Sequence, residues 1–136
     1  MYLIDANIIL EVLYKRGRWE ESLKLLNLVK ESRIRAYILR FTVHGIAAIL
    51  GKPNLVAKFL SEIQTWRGLT VADLTLEEEI LACELGDKIG LDFDDSLQYY
   101  FAKKKQTLII SYDRDFDKTD IKRVEPNQVL SDYTDK

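Results

Sequence analysis

Residues 2–13 read YLIDANIILEVL. Tyr2 to Ile4 form a short apolar, β-prone run. Asp5 follows, and from Ala6 the apolar residues recur at helical spacing. This is a strand that turns directly into a helix with a carboxylate at the junction. In an open parallel sheet, ligands bind in the crevice beyond the carboxyl ends of the strands, so this junction is where a functional acid would stand. An Asp at such a position can also be a plain helix N-cap, and taken alone Asp5 favours the cap.

The same alternation continues along the chain. β-Prone runs are expected at Ala36 to Leu39, Leu69 to Ala72, Leu108 to Ser111 and Ile121 to Val124, several of them almost wholly apolar, as in strands covered on both faces. Amphipathic helices are expected between them. One has Trp19, Leu23, Leu26 and Val29 on one face. A second opens at Pro53, carries Val56, Phe59, Leu60 and Ile63, and stops by Gly68. A third is capped by Thr75 and Glu78, has Leu81, Leu85 and Ile89 along one stripe, and ends at Gly90. The pattern is that of an α/β protein with a mostly parallel sheet of four or five strands.

At 136 residues one core is expected, giving a single domain over 1–130 and a frayed tail over 131–136. With 47% hydrophobic and 31% charged residues the composition is that of a globular protein. Cys83 is the only cysteine. It excludes an internal disulfide or a cysteine zinc cage and reads as a small core residue. No segment is long and apolar enough to span a bilayer, and the opening carries an acid where a signal peptide needs basic residues. The expectation is a cytoplasmic protein with no membrane association. The formal net charge of −2 excludes whole-molecule attraction to a polyanion, so any nucleic-acid contact must be local.

Two further groups of acids decide the functional reading. SYDRDFD follows the fourth apolar run and places Asp113, Asp115 and Asp117 beyond it, as Asp5 stands beyond the first. GLDFDDSLQYYFAKKK places Asp92, Asp94 and Asp95 at the start of a helix with Phe93, Leu97, Tyr100 and Phe101 at core spacing. The helix dipole alone favours acids in a first turn by about 0.3–1 kcal/mol each. It does not account for three groups meeting at one sheet edge. Two carboxylates ~4 Å apart repel by on the order of 4 kcal/mol at an effective dielectric near 20. Mg2+ or Mn2+, hard cations that take oxygen ligands, would turn that repulsion into binding and could assist displacement at a phosphoryl centre.

YLIDANIILEVL, FDDSLQYYFAKK and TLIISYDRDF, in this order over nearly the whole chain, resemble the PIN-domain family, which includes the VapC-type toxins of prokaryotic toxin–antitoxin pairs. The resemblance implies a three-layer α/β/α fold and a divalent-metal-dependent endoribonuclease acting on RNA. It further implies a homodimer and, for toxin members, a small antitoxin protein as partner. Matched residue by residue, Asp5, Asp95 and Asp113 take the place of the catalytic, metal-binding acids. Asn7 and Ser111 take that of supporting polar residues, and Asp115 that of an additional acid. Asp94 is a weaker substitute for Asp95.

The sequence departs from the family in FTVHGIAAIL, where the usual acid, a Glu, is replaced by Gly45. Neighbours that could compensate are His44 and Glu11; a single isolated His is more often a packed or solvated residue. If none does, the chain is a catalytically weak or inactive PIN-like module that binds RNA or protein. Arg40, Arg114 and Lys118 are the bases placed to contact phosphates.

Overall fold

The computed structural model describes residues 1–134. In chain order the elements are β1 (Tyr2–Ile4), α1 (Ala6–Leu13), α2 (Trp19–Lys30), β2 (Ala36–Leu39), α3 (Arg40–Leu50), α4 (Pro53–Gln64) and β3 (Leu69–Ala72). They continue as α5 (Leu76–Ile89), α6 (Phe93–Lys105), β4 (Leu108–Ile110), a 3₁₀ turn (Arg114–Lys118), β5 (Arg123–Val124) and α7 (Pro126–Thr134). The strands form one sheet in the order β3-β2-β1-β4-β5, and every pairing is parallel.

Strand periodicity sorts the side chains into two cores. Ile4, Ile38 and Ile110 face one side, with Ile9, Leu25, Val43, Phe59 and Val129 of α1–α4 and α7 packed over them. Leu3, Leu39 and Ile109 face the other, under Ala82 of α5 and Leu97 and Phe101 of α6. Successive residues of a strand point to opposite faces, so these short apolar strands specify a three-layer α/β/α sandwich. The chain leaves β1 toward β2 and β3 on one side and returns to β4 and β5 on the other. The strand order therefore reverses between β1 and β4, which is where a parallel sheet opens its ligand crevice.

Several sequence expectations are corrected here. In α5 the buried residues are Ala82 and Gly86, and Leu81 is exposed. The reason is close helix packing: a Cβ placed on Gly86 would lie 1.8 Å from Ser96 Oγ and 2.5 Å from Ser96 Cβ, so only a small stripe fits against α6. Cys83 sits beside that stripe and is exposed, not a core residue. In α2 the buried face is Ser22, Leu25, Leu26 and Val29, turned from the expected one because the Ser22 hydroxyl meets the Tyr112 hydroxyl at 2.8 Å. Leu60 of α4 is exposed, whereas Phe59 and Ile63 are buried.

The last strand is shorter than expected, because Thr119 Oγ1 accepts from the Ile121 backbone N–H in a turn and delays the start of β5 to Arg123. Finally, α7 runs from Pro126 through Thr134, into the segment expected as a tail. Tyr133 packs against the first core and under the Arg33 guanidinium. Residues 135 and 136 lie outside the described residues.

Candidate metal centre

Asp5 ends β1, and its side chain accepts the Ala6 backbone N–H at 2.7 Å, capping α1. The cap and the site are one residue. Three further donors reach the same carboxylate: Asn7 Nδ2 at 3.2 Å and Ser111 Oγ at 2.6 Å to Oδ2, and Gln98 Nε2 at 3.1 Å to Oδ1. Ser111 also accepts from Asn7 Nδ2 and from the Asp113 backbone N–H. It thereby joins the ends of β1 and β4, and Asn7 closes the loop by accepting the Tyr112 N–H.

Asp113 caps the 3₁₀ turn by accepting the Asp115 N–H at 2.9 Å. Asp95 lies in the first turn of α6, where Asp92, not Asp95, is the N-cap and accepts the Asp95 N–H. Asp95 is only 4% exposed, and its Oδ2 is buried without a hydrogen-bond partner. One carboxylate oxygen from each of Asp5, Asp95 and Asp113 lies within 4.8 Å of the others.

The electrostatics follow from that convergence. Burial pushes the Asp95 carboxyl up to about 8, reinforced by the charges of Asp113 and then Asp92. Burial also raises Asp5, against the pull of the hydrogen bonds from Ser111, Gln98 and Ala6. Those hydrogen bonds offset part of the rise and fix the direction of the Asp5 carboxylate. At neutral pH Asp95, next to Asp113, holds a proton when nothing positive faces it. An all-oxygen set of carboxylates, one with a buried oxygen lacking any donor, fits a hard divalent cation such as Mg2+ or Mn2+.

The other candidates stand apart from this trio. Asp115 is exposed and lies 3.5 Å from Lys118 Nζ. Asp94 is exposed on the outer side of α6, its carboxyl raised by burial and then by Asp92. His44 is exposed on α3. Glu11 is engaged elsewhere, accepting the Arg18 backbone N–H at 2.8 Å. Gly45 is exposed in mid-helix, and a Cβ added there would meet nothing within 4 Å. Packing does not demand a glycine at this position, so the missing carboxylate reflects no lack of room. Among the described residues the group therefore has three acids.

Sequence reading missed Gln98. A lone Gln in an amphipathic helix reads as solvent-facing, and its one signal is its place three residues after Asp95, on the same helix face. It also missed Arg123, which donates to the Ser111 carbonyl at 3.0 Å and grips Asp117 with Nε and Nη2, bracing the loop that carries Asp113.

Comparison with known proteins agrees with this architecture. The PIN domain family model matches residues 2–122. A toxin–antitoxin complex from Klebsiella pneumoniae superimposes with a TM-score of 0.71 at 17% identity, over 93% of this chain and 98% of that one. VapBC2 from Rickettsia felis, bound to a DNA fragment from its promoter, gives 0.67 at 15% identity, over 91% and 97%. FitAcB from Neisseria gonorrhoeae gives 0.64 at 18% identity, over 93% and 98%. At these identities the likeness is one of fold. No curated protein matches the chain.

Proposed function

The chain belongs to the PIN-domain family, and from that premise we propose that it is a divalent-metal-dependent endoribonuclease, the toxin of a VapBC-type toxin–antitoxin pair. The observation that carries the reading is the meeting of Asp5, Asp95 and Asp113, three residues far apart in sequence, within 4.8 Å. A protein that buries mutually repelling carboxylates accepts a loss of stability, and such groups cluster at functional sites.

In this reading Asp5, Asp95 and Asp113 hold Mg2+ or Mn2+. A bound divalent cation offsets their charge and stabilises negative charge gathering on phosphoryl oxygens. The chain's own groups do the rest. Ser111 and Asn7 hold the Asp5 carboxylate fixed in direction. The capped 3₁₀ turn and Arg123 hold Asp113, and the first turn of α6 presents Asp95 with one oxygen unengaged. Arg114 is exposed directly after Asp113, where it meets an RNA phosphate. Arg40 and Lys118 now pair with Asp73 and Asp115 on the surface, and such exposed pairs are weak enough to exchange for phosphate contacts.

Partners are proposed on the same footing. An apolar groove of about 360 Å³ between α1, α2 and α4, lined by Ile9, Leu26 and Phe59 with Lys58 and Glu62 at its rim, offers a seat for an antitoxin segment, since the solved structures resembling this chain include toxin–antitoxin complexes. A single chain leaves Leu76 and Ile80 of α5 in solvent, together with the edge-to-face pair Phe41 and Phe93. A second copy would cover this apolar area as a homodimer. No helix of the described residues is long and apolar enough to cross a membrane, and a cytoplasmic site of action is proposed.

Gly45 favours one other reading, a PIN-like module that keeps the fold and binds RNA or protein without cutting. Cleavage separates the two. Manganese should stimulate hydrolysis of a mixed single-stranded RNA, chelator should stop it, and Asp5→Asn should lower the rate by at least about a hundredfold, more than loss of a partner outside the ligand set commonly costs. RNA binding without any manganese-stimulated cut would replace the nuclease with the binding module, and cleavage undiminished in Asp5→Asn would remove the assignment of this site.

A further inference from the structure

Four donors converge on the Asp5 carboxylate, and they differ in origin. Ala6 and Asn7 belong to the turn and helix that follow β1, and Ser111 to the end of β4. Gln98 alone among them comes from α6, the helix that carries Asp95. The residue is 3% exposed, its Nε2 lies 3.1 Å from Asp5 Oδ1, and its Oε1 is buried with no hydrogen-bond partner.

An amide with an unpaired buried carbonyl weakens a fold, and an apolar side chain of the same shape would serve the core better. The residue that links α6 to the Asp5 carboxylate is therefore poorly explained by stability. Its chemistry suits a different task. A Lys here would neutralise Asp5, and an acid would add to the repulsion. An aliphatic residue would leave Asp5 Oδ1 without a tie to α6, so that no direct hydrogen bond would set the Asp5 carboxylate relative to the helix that carries Asp95. A neutral donor fixes the Asp5 carboxylate relative to the helix of Asp95 without placing a competing cation or a further acid beside it.

We infer that Gln98 is a positioning residue of the cation site, the hydrogen-bonded tie that sets the spacing between the acid on β1 and the acid on α6. The inference rests on the proposed metal-binding role of Asp5, Asp95 and Asp113. Partners of this kind, outside the ligands themselves, commonly change metal affinity by about 10–100-fold.

The test uses the full chain and manganese alone, with binding read by calorimetry and the fold by thermal melting in chelator. Gln98→Met is nearly isosteric and removes both the donor and the unpaired acceptor; Gln98→Leu repeats the test with a side chain that offers a metal no lone pair. Each variant is expected to melt no lower than the unmodified protein yet to bind manganese about 10–100-fold more weakly. Unchanged affinity overturns the role of Gln98. A joint fall in melting temperature and affinity in both variants overturns it too, since it marks a fold effect. Failure of the unmodified chain to bind manganese at millimolar concentration removes the metal site on which the inference stands, an outcome distinct from the other two.

Discussion

Asp95→Asn is expected to stabilise the metal-free protein while abolishing its manganese-dependent cleavage. Asp95 is 4% exposed as a residue, its Oδ2 lacks a donor, and its pKa is pushed up to about 8 by burial and by Asp113. A group whose pKa is raised on folding binds more protons in the folded than in the unfolded state. Stability therefore falls as pH rises from the ordinary Asp value, 3.8, toward about 8. Asn carries no charge and escapes that penalty. At pH 9 in chelator the variant should melt higher by roughly 3–8 °C, the equivalent of about 1–2 kcal/mol in a domain of this size. The gap should shrink toward pH 5, where Asp95 is protonated. In the same protonation picture manganese affinity rises with pH up to about 8 in the unmodified chain, because the cation binds the carboxylate and not the acid. A variant that melts lower at both pH values and still cuts RNA would make Asp95 a structural residue of the helix terminus.

The second large effect lies outside the acidic group. Gly86→Ala places a methyl 1.8 Å from Ser96 Oγ, 2.5 Å from Ser96 Cβ and 3.3 Å from Ser96 Cα. Rotating the hydroxyl relieves the first contact and breaks its hydrogen bond to the Asp92 carbonyl; the other two persist unless α5 and α6 separate. Overpacking of this kind costs about 1–3 kcal/mol, a fall of roughly 3–12 °C in melting temperature for such a domain. Ser96 directly follows Asp95, so separation of the helices also shifts the acid, and manganese affinity should fall with stability. Adding Ser96→Gly removes the clashing atoms and should restore part of both. If Gly86→Ala melts normally, the close approach of the two helices is not what positions Asp95.

The strands were legible from local pattern, and the meeting of Asp5, Asp95 and Asp113 from the order of three motifs along the chain. Short runs such as Leu108 to Ile110 are apolar on both faces, and a strand that ends at a crevice places its next polar residue, Asp5 or Asp113, where it can act. What escaped depends on contacts between elements. The leucine stripe of α5 has the right period, yet the face that packs is the small one, Ala82 and Gly86, because α6 approaches closely at Ser96. Cys83 goes to the surface with that rotation. Ser22 is buried for the sake of one hydroxyl pair with Tyr112. Gln98 is a polar residue on a helix, and only the position of Asp5 on a neighbouring strand makes its burial intelligible. Asp115 and Asp117 share the motif of Asp113 but point to Lys118 and Arg123, a difference decided by the 3₁₀ turn that begins at Arg114.

Diffraction from crystals soaked in manganese, with the anomalous signal used to locate the ion, probes the acidic centre most directly. A peak bounded by the carboxylates of Asp5, Asp95 and Asp113 is the expected outcome. An empty map at millimolar manganese, or an ion held elsewhere while these three carboxylates stay unliganded, would mean that they meet for some purpose other than binding a metal.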